Sequence, residues 1–239
     1  VTPLLFLRNL RPADGLFLFL LIILGVRPLL DPDYGWHLKA GLDFLKNWRL
    51  PYFDPYSYTA PDWPWVDHEW LSNVLLALLH TLLTPLGLSL LFGFLIAGIF
   101  LLAASLSRLE FSYKVLAALI ALLAALPILG VRVQMVTLLG LAFLLYLFYR
   151  FRAGEIKGIW WLPLVFVLWA NLHGGFVAGL FTLALLGGAE LLKRLIFHFW
   201  PKLAKKFDEP TLSWRALGEW VVVGLLSGIA TLLNPYGWR

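Results

Sequence analysis

The sequence predicts an all-α fold: a polytopic membrane helix bundle of about seven transmembrane helices, with two surface helices in a long first external loop. Three observations carry this reading. Hydrophobic residues make up 61% of the 239 and charged residues only 14%. Mean hydropathy is +0.82, too apolar for an ordinary soluble domain. Uncharged or nearly uncharged runs recur along the chain at lengths near the roughly 20 residues that a spanning helix needs.

The runs are Gly15–Leu30, Pro85–Ser107, Val115–Val131, Val133–Tyr149, Gly158–Asn171, Gly174–Ala189 and Trp220–Leu233. Several are short, which implies tilt, local thinning or burial within the bundle. The first follows Arg8 and Arg11, as in a signal sequence. Only Arg27-Pro28 comes after it, with no small-x-small cleavage site, so it reads as an uncleaved first helix. The whole of 1–239 reads as one membrane module: 1–30 the first helix, 31–84 the external loop, 85–239 six further spans. It begins at Val1 and stops at Arg239, just after a motif-like stretch, and is expected to be a piece of a longer protein.

The segment Trp70–Pro85 decides the topology. If it spans, the basic loops fall outside, against the positive-inside rule. If it lies on the surface, thirteen Lys and Arg become cytoplasmic: Arg8, Arg11, Arg108, Lys114, Arg150, Arg152, Lys157, Lys193, Arg194, Lys202, Lys205, Lys206 and Arg215. Lys39, Lys46, Arg49, Arg132 and Arg239 are then external, and Arg27 stays within the first helix. The surface placement agrees with the rule. Trp70, Leu71, Val74, Leu75, Leu78, Leu79, Leu82 and Leu83 form an apolar stripe, with Glu69, Asn73, His80 and Thr84 opposite, as in an interfacial helix. The net charge of +5 is thereby explained by orientation, and no nucleic-acid partner is expected.

The external loop opens with a short helix, Tyr34–Trp48. Lys39, Asp43 and Lys46 share one of its faces at ion-pair spacing. The Pro- and Tyr-rich stretch from Pro51 to Pro61 has no helical period and reads as ordered loop. Trp63 and Trp65 suit the membrane interface.

This topology, chosen on charge, also gathers the unusual polar residues at one end. Asp31, Asp33, Trp36 and His37 follow the first helix. Asp67, His68 and Glu69 open the second surface helix. Arg132 and Gln134 lie in a tight turn, Asn171 and His173 join two spans, and Asn234 follows the last. Carboxylates near lipid are costly, so several at one depth point to a site. Each has a plainer reading. Asp33 could cap a helix, Asn171 and Asn234 could cap helix ends, and the tryptophans could be interfacial anchors. His173-Gly174-Gly175 could serve close packing, and His80 and His198 could be structural or solvated. Asp31, Asp33, Asp67 and Glu69 could also bind a divalent cation through oxygen. His68-Glu69-Trp70-Leu71-Ser72 starts like a zinc-protease motif but lacks the second histidine. There are no cysteines, which excludes disulfides and thiolate metal sites.

The layout resembles the N-terminal module of GT-C glycosyltransferases: a first helix, an acidic pair, a loop with two surface helices, then six spans. Asp31-Pro-Asp-Tyr-Gly-Trp-His-Leu, Trp65-Val-Asp-His-Glu-Trp-Leu-Ser, Asn171-Leu-His-Gly-Gly-Phe and Asn234-Pro-Tyr-Gly are also similar to a family of bacterial multi-pass proteins. The resemblance implies transfer of a sugar from a polyprenyl-phosphate donor to a lipid, glycan or protein acceptor at the non-cytoplasmic face of the bacterial inner membrane. It implies Asp33 or Asp31 as the base. Arg132, with His173 or Lys39, would face the lipid phosphate. Asp67 and Glu69 would hold magnesium or manganese or orient the acceptor. Trp36, His37, His68, Gln134, Asn171 and Asn234 would complete the substrate contacts. A transporter or flippase of a lipid-linked or anionic substrate should instead carry charge at the bilayer midplane. A non-catalytic membrane subunit would not depend on single carboxylates.

Overall fold

A computed structural model describes residues 11–60, 63–202, 211–235 and 237. Arg8, Lys205, Lys206, Tyr236 and Arg239, used above for topology and motifs, lie outside the described residues.

The described residues form an α-helical fold with nine principal helices. Helix α1, Pro12–Gly25, starts with proline at its first position and a bond from Arg11 N–H to Asp14 Oδ2 of 2.8 Å. It ends before Pro28, whose ring disfavours helix in the residue ahead of it. The expected run to Leu30 is therefore shorter as helix, and Arg27 leaves the helix for the loop. Helix α2 is Tyr34–Asn47, closed by Trp48 in the left-handed region at φ 52°. Helix α3 is Trp70–Leu82. Helix α4, Pro85–Ser105, is capped by Thr84 Oγ1, which accepts from Gly87 N–H at 3.1 Å. Helix α5 is Phe111–Ala125, extended by a 3-10 turn over Leu126–Ile128. Helix α6 is Met135–Arg152, with Arg150 and Arg152 against its negative end.

Helices α7, Leu162–Leu172, and α8, Phe176–Phe199, are joined by His173-Gly174-Gly175. Helix α8 continues well past Ala189, through Glu190, Lys193 and Arg194. The buried Glu190 is satisfied by Arg152 Nε at 3.0 Å and by the backbone N–H of Leu212 at 2.9 Å. Helix α9, Trp214–Ala230, begins earlier than the apolar run because Ser213 caps it, accepting from Ala216 N–H at 3.1 Å.

Four segments are long and apolar enough to cross a membrane: α4, α5 with its 3-10 turn, α6 and α8. At 1.5 Å per residue, α3 is roughly 20 Å long, short of a ~30 Å hydrocarbon core. Helices α1 and α7 are similarly short, at 14 and 11 residues. Many apolar side chains face outward, among them Phe94, Ile120, Leu164, Phe181 and Leu225. Such coverage suits lipid and would be an aggregation hazard in water.

Among the described residues two larger cores and a smaller one, around Leu76, Leu88 and Val131, hold the bundle. Leu21, Ile96 and Leu122 centre one, between α1, α4 and α5. Phe148, Phe166 and Trp220 centre the other, between α6, α7, α8 and α9. Helix α6 joins them, giving Met135 to the first and Leu144, Leu147 and Phe148 to the second. The α2–α3 pair packs beside these cores and touches α7 and α4. Gly41 sets its spacing: a Cβ there would lie 2.0 Å from the carbonyl oxygen of Asn73. Helix α3 turns Asn73 and Ala77 inward and leaves Leu75, Leu78 and Leu82 exposed. The loop beyond α2 is pinned by backbone bonds from Asp54 N–H to Trp63 O, 2.9 Å, and from Trp65 N–H to Tyr52 O, 3.0 Å.

Candidate functional site

The polar residues from distant parts of the chain meet at one end of the bundle. In the turn ahead of α6, Leu129, Val131, Val133 and Met135 are buried in alternation. That anchors the turn. Arg132 Nε lies 3.2 Å from Asp31 Oδ2, joining the end of the first apolar run to the α5–α6 turn. Asp31 Oδ1 also accepts the backbone N–H of Asp33 at 3.2 Å. Asp33 occupies the N-cap position of α2, yet its side chain makes no cap bond. The capping reading is thus met in position but not by the carboxylate, which stays exposed.

Arg132 borders two cavities. One, of about 260 Å³, is lined by Leu75, Leu76 and Leu79 of α3, Leu91, Phe92 and Leu95 of α4, and Val133, Met135 and Val136. The other, of about 120 Å³, has Arg27, Asp31 and Arg132 among its walls. A cation therefore stands between an apolar slot and a small polar chamber that holds a second arginine.

Between α2 and α3 lies a buried relay. Asn73 Nδ2 donates to Asp67 Oδ2 at 2.7 Å, which leaves Asn73 Oδ1 as acceptor toward His37 Nδ1 at 2.6 Å. His37 must therefore carry its proton on Nδ1. Burial pushes the Asp67 carboxyl above its usual range, although the Asn73 bond opposes this. Tyr34 OH and His80 Nδ1, 2.7 Å apart, form a second tie between the same helices.

A third network links α3 to the α7–α8 turn. Trp169 Nε1 donates to Thr137 Oγ1 at 3.2 Å, and the Thr137 hydroxyl donates to His173 Nδ1 at 2.7 Å. The Gly175 N–H reaches the same nitrogen at 3.0 Å. The His173 proton is thereby fixed on Nε2, which faces Glu69 Oε1 at 3.6 Å. The same oxygen accepts Gly174 N–H at 3.3 Å and has His68 Nε2 at 3.4 Å. Burial pushes Glu69 upward, but the His68 bond, the neighbouring imidazole of His173 and the Gly174 N–H outweigh it and hold the carboxyl below its usual range. The Glu69 bond raises His68 above the ordinary imidazole value against its burial. Burial lowers His173, against the pull of Glu69. The two histidines around one carboxylate are thus shifted in opposite directions. Gly175 makes the turn possible, since a Cβ there would lie 2.0 Å from Thr137 Oγ1.

The other candidates have defined places. Asn171 Oδ1 accepts Trp70 Nε1–H at 2.7 Å, and Asn171 Nδ2 donates to Val167 O and Leu233 O, each at 2.8 Å. It ties three helix ends together. Asn234 Nδ2 donates to Thr231 O at 2.6 Å and its Oδ1 accepts Gly237 N–H at 3.1 Å, organising the turn after α9. Lys39 is held by Asp43 at 2.5 Å, the expected ion pair one turn along, so it is not turned toward Arg132. Trp36 packs on the His37 ring at 3.8 Å and edge-on to Trp65 at 6.2 Å. Gln134 begins α6 with a buried Oε1 that has no hydrogen-bond partner.

The carboxylates expected to share a cation do not converge. Asp67 turns to Asn73, and Glu69 turns to His68, His173 and Gly174. Among the described residues no group of three or more His, Cys, Asp or Glu side chains could hold a metal ion.

Sequence reasoning missed Arg27, Asn73 as a relay member, Thr137 and Trp169. Asn73 carried a signal: it lies one helical turn after Glu69 and is the only amide in α3. Thr137 and Trp169 carried none, since each lies in an apolar run. No protein-family model, curated protein or solved structure matches the chain.

Proposed function

We propose that the chain is the membrane module of a glycosyltransferase. In this reading it moves a sugar from a polyprenyl-phosphate donor to a lipid, glycan or protein acceptor at the non-cytoplasmic face of the bacterial inner membrane. One observation carries the proposal: Arg132 borders both an apolar slot and a polar chamber containing Arg27 and Asp31. A lipid phosphate has that same division, an apolar tail and an anionic head. Two guanidiniums suit the phosphate, whose negative charge grows as it leaves. The apolar wall of Leu75, Leu76, Leu79, Leu91 and Leu95 suits the tail.

Seven helices span in this reading: α1 and α4 through α9. The N-terminus is cytoplasmic, and α2 and α3 lie at the outer surface. The short helices α1 and α7 cross with tilt, local thinning and flanking chain buried in protein. The exposed leucines of α3 rest in the interface.

The chemistry needs one proton acceptor. An acceptor hydroxyl oxygen forms a bond to the anomeric carbon. The bond from that carbon to the phosphate oxygen breaks, and its electron pair leaves with the phosphate. The hydroxyl proton passes to Asp33, an exposed carboxylate not used as a cap. Asp31 holds Arg132 in place.

The test is transfer in membranes from a panel of polyprenyl-phosphate sugars, using the full-length chain. Asp33→Asn and Arg132→Gln should abolish transfer while the protein remains folded. Transfer undiminished in Asp33→Asn would remove the base role. No transfer from any donor would leave the transporter or the non-catalytic subunit.

A further inference from the structure

A second polar cavity lies away from Arg132. It holds about 600 Å³, within the roughly 300–1,000 Å³ of small-molecule sites. The C-terminal half of α2, the loop after it and Asp67 enclose it. Asp43, Asn47, Arg49 and Asp67 give it polar walls, and Phe44 and Tyr56 aromatic ones.

The walls are built rather than loose. Tyr56 OH donates to Asp43 Oδ2 at 3.2 Å, and its ring meets Trp65 edge-on at 5.7 Å. Asp54 Oδ1 accepts the N–H groups of Tyr56 and Ser57 at 2.8 and 3.1 Å, fixing the turn. Phe44 packs against Trp48 at 5.9 Å and Trp70 at 5.4 Å. Fixed walls lower the ordering cost of binding.

Charge narrows the ligand. Asp43 is already neutralised by Lys39 and bonded by Tyr56. Asp67 lines the cavity together with a cation, Arg49, and is backed by Asn73. Among the described residues the cavity has no excess of carboxylates for a cationic ligand and no pair of cations for a phosphate. What remains is a carboxylate with acceptor capacity, an amide, a guanidinium and aromatic or proline surface. Hydroxyl groups both donate and accept, and so match all three polar groups. The C–H face of a sugar ring matches the apolar wall.

We infer that this cavity binds an uncharged polyhydroxyl ring, the chemistry of a sugar, either free or as the headgroup of a glycolipid. It goes beyond the transferase reading, and under that reading it is a place for the acceptor, apart from the donor chamber at Arg132. Asp67 forms the floor and accepts ring hydroxyls. Asn47 and Arg49 close the rim, and Phe44 and Tyr56 take the ring face.

The experiment uses the full chain in detergent micelles, with no donor present. Tryptophan fluorescence and calorimetry follow titration with methyl glycosides of glucose, mannose, galactose and N-acetylglucosamine, and with the matching glycolipids in nanodiscs. At least one glycoside or glycolipid should saturate. Asn47→Ala and Arg49→Gln, both at exposed positions, should each weaken it by about tenfold, the scale of one lost hydrogen bond at a binding site. Lys46→Gln, outside the cavity, should change nothing. Saturation by free glycosides identifies the ring alone as sufficient; saturation by glycolipids only identifies the headgroup as the source. Failure of every probe to saturate overturns the inference, as does saturation indifferent to both rim variants. Because donor is absent, binding can hold while sugar transfer fails, or the reverse, and the two readings are separated.

Discussion

Arg132 and Asp31 are 101 positions apart in sequence, and their charged groups lie 3.2 Å apart in the fold. The pair joins the chain leaving α1 to the turn that starts α6. It also fixes a cation that borders both cavities. The side chain of Asp31 is 7% exposed and that of Arg132 30%. Removing one partner should therefore cost more than the ~1 kcal/mol of an exposed pair and less than the ~3–5 kcal/mol of a buried one. Asp31→Asn is expected to lower stability by about 2 kcal/mol, read from thermal unfolding in detergent. An unchanged melting temperature would mean that the pair contributes nothing to the fold.

Asn73 bridges His37 and Asp67, all three buried. Asn73→Ala strands a carboxyl and an imidazole, and should destabilise by about 2–3 kcal/mol. Asn73→Asp should be worse, because it places a second carboxylate against Asp67. Chemical denaturation of the three proteins orders them. Asp melting at or above Ala would contradict the assigned bond directions.

Gly175 and Thr137 are coupled by space. Gly175→Ala puts a methyl group into the Thr137 hydroxyl and should destabilise the α7–α8 turn by about 1–3 kcal/mol. Thr137→Ala alone also destabilises, since it removes the donor to His173. Together they should cost less than their sum, because the smaller side chain makes room for the new methyl. A double-mutant cycle measures this. Strict additivity would show that the contact is not tight in solution.

His68 and His173 should titrate on opposite sides of 6.5, the ordinary value for both. His68 is raised, so its contribution to stability is complete below 6.5 and is lost as pH rises through its folded pKa. His173 is lowered, so its contribution is complete above 6.5 and is lost as pH falls through its folded pKa. Together they place a local maximum of stability between the two folded values. Histidine-labelled NMR reads both titrations in one sample. Glu69→Gln should bring His68 back down, since its bond to Glu69 is the main cause of the rise. Two coincident midpoints would contradict the unequal environments described above.

Much of the fold is legible in the sequence because hydropathy and helix caps are local. The apolar runs place α1 and α4 through α9, and the Leu stripe against Asn73 and His80 marks α3 as two-faced. The Lys39–Asp43 pair follows from helical spacing alone. Asp33 shows the limit: its position predicts a cap, but its carboxylate makes no cap bond, and only its backbone N–H is engaged, by Asp31 Oδ1. Arg27 shows another, since a helix read to Leu30 stops at Gly25 and releases the arginine to a polar chamber.

The sequence by itself determined that this chain is helical, apolar and polar at one end. Charge and hydropathy need only the order of residues. Tertiary structure alone decided which polar groups meet: His37 with Asn73, Thr137 with His173, Trp70 with Asn171. Those meetings depend on how far each helix is turned and how deep it sits. Contacts such as Gly41 against the Asn73 backbone set both, through packing that no single segment contains.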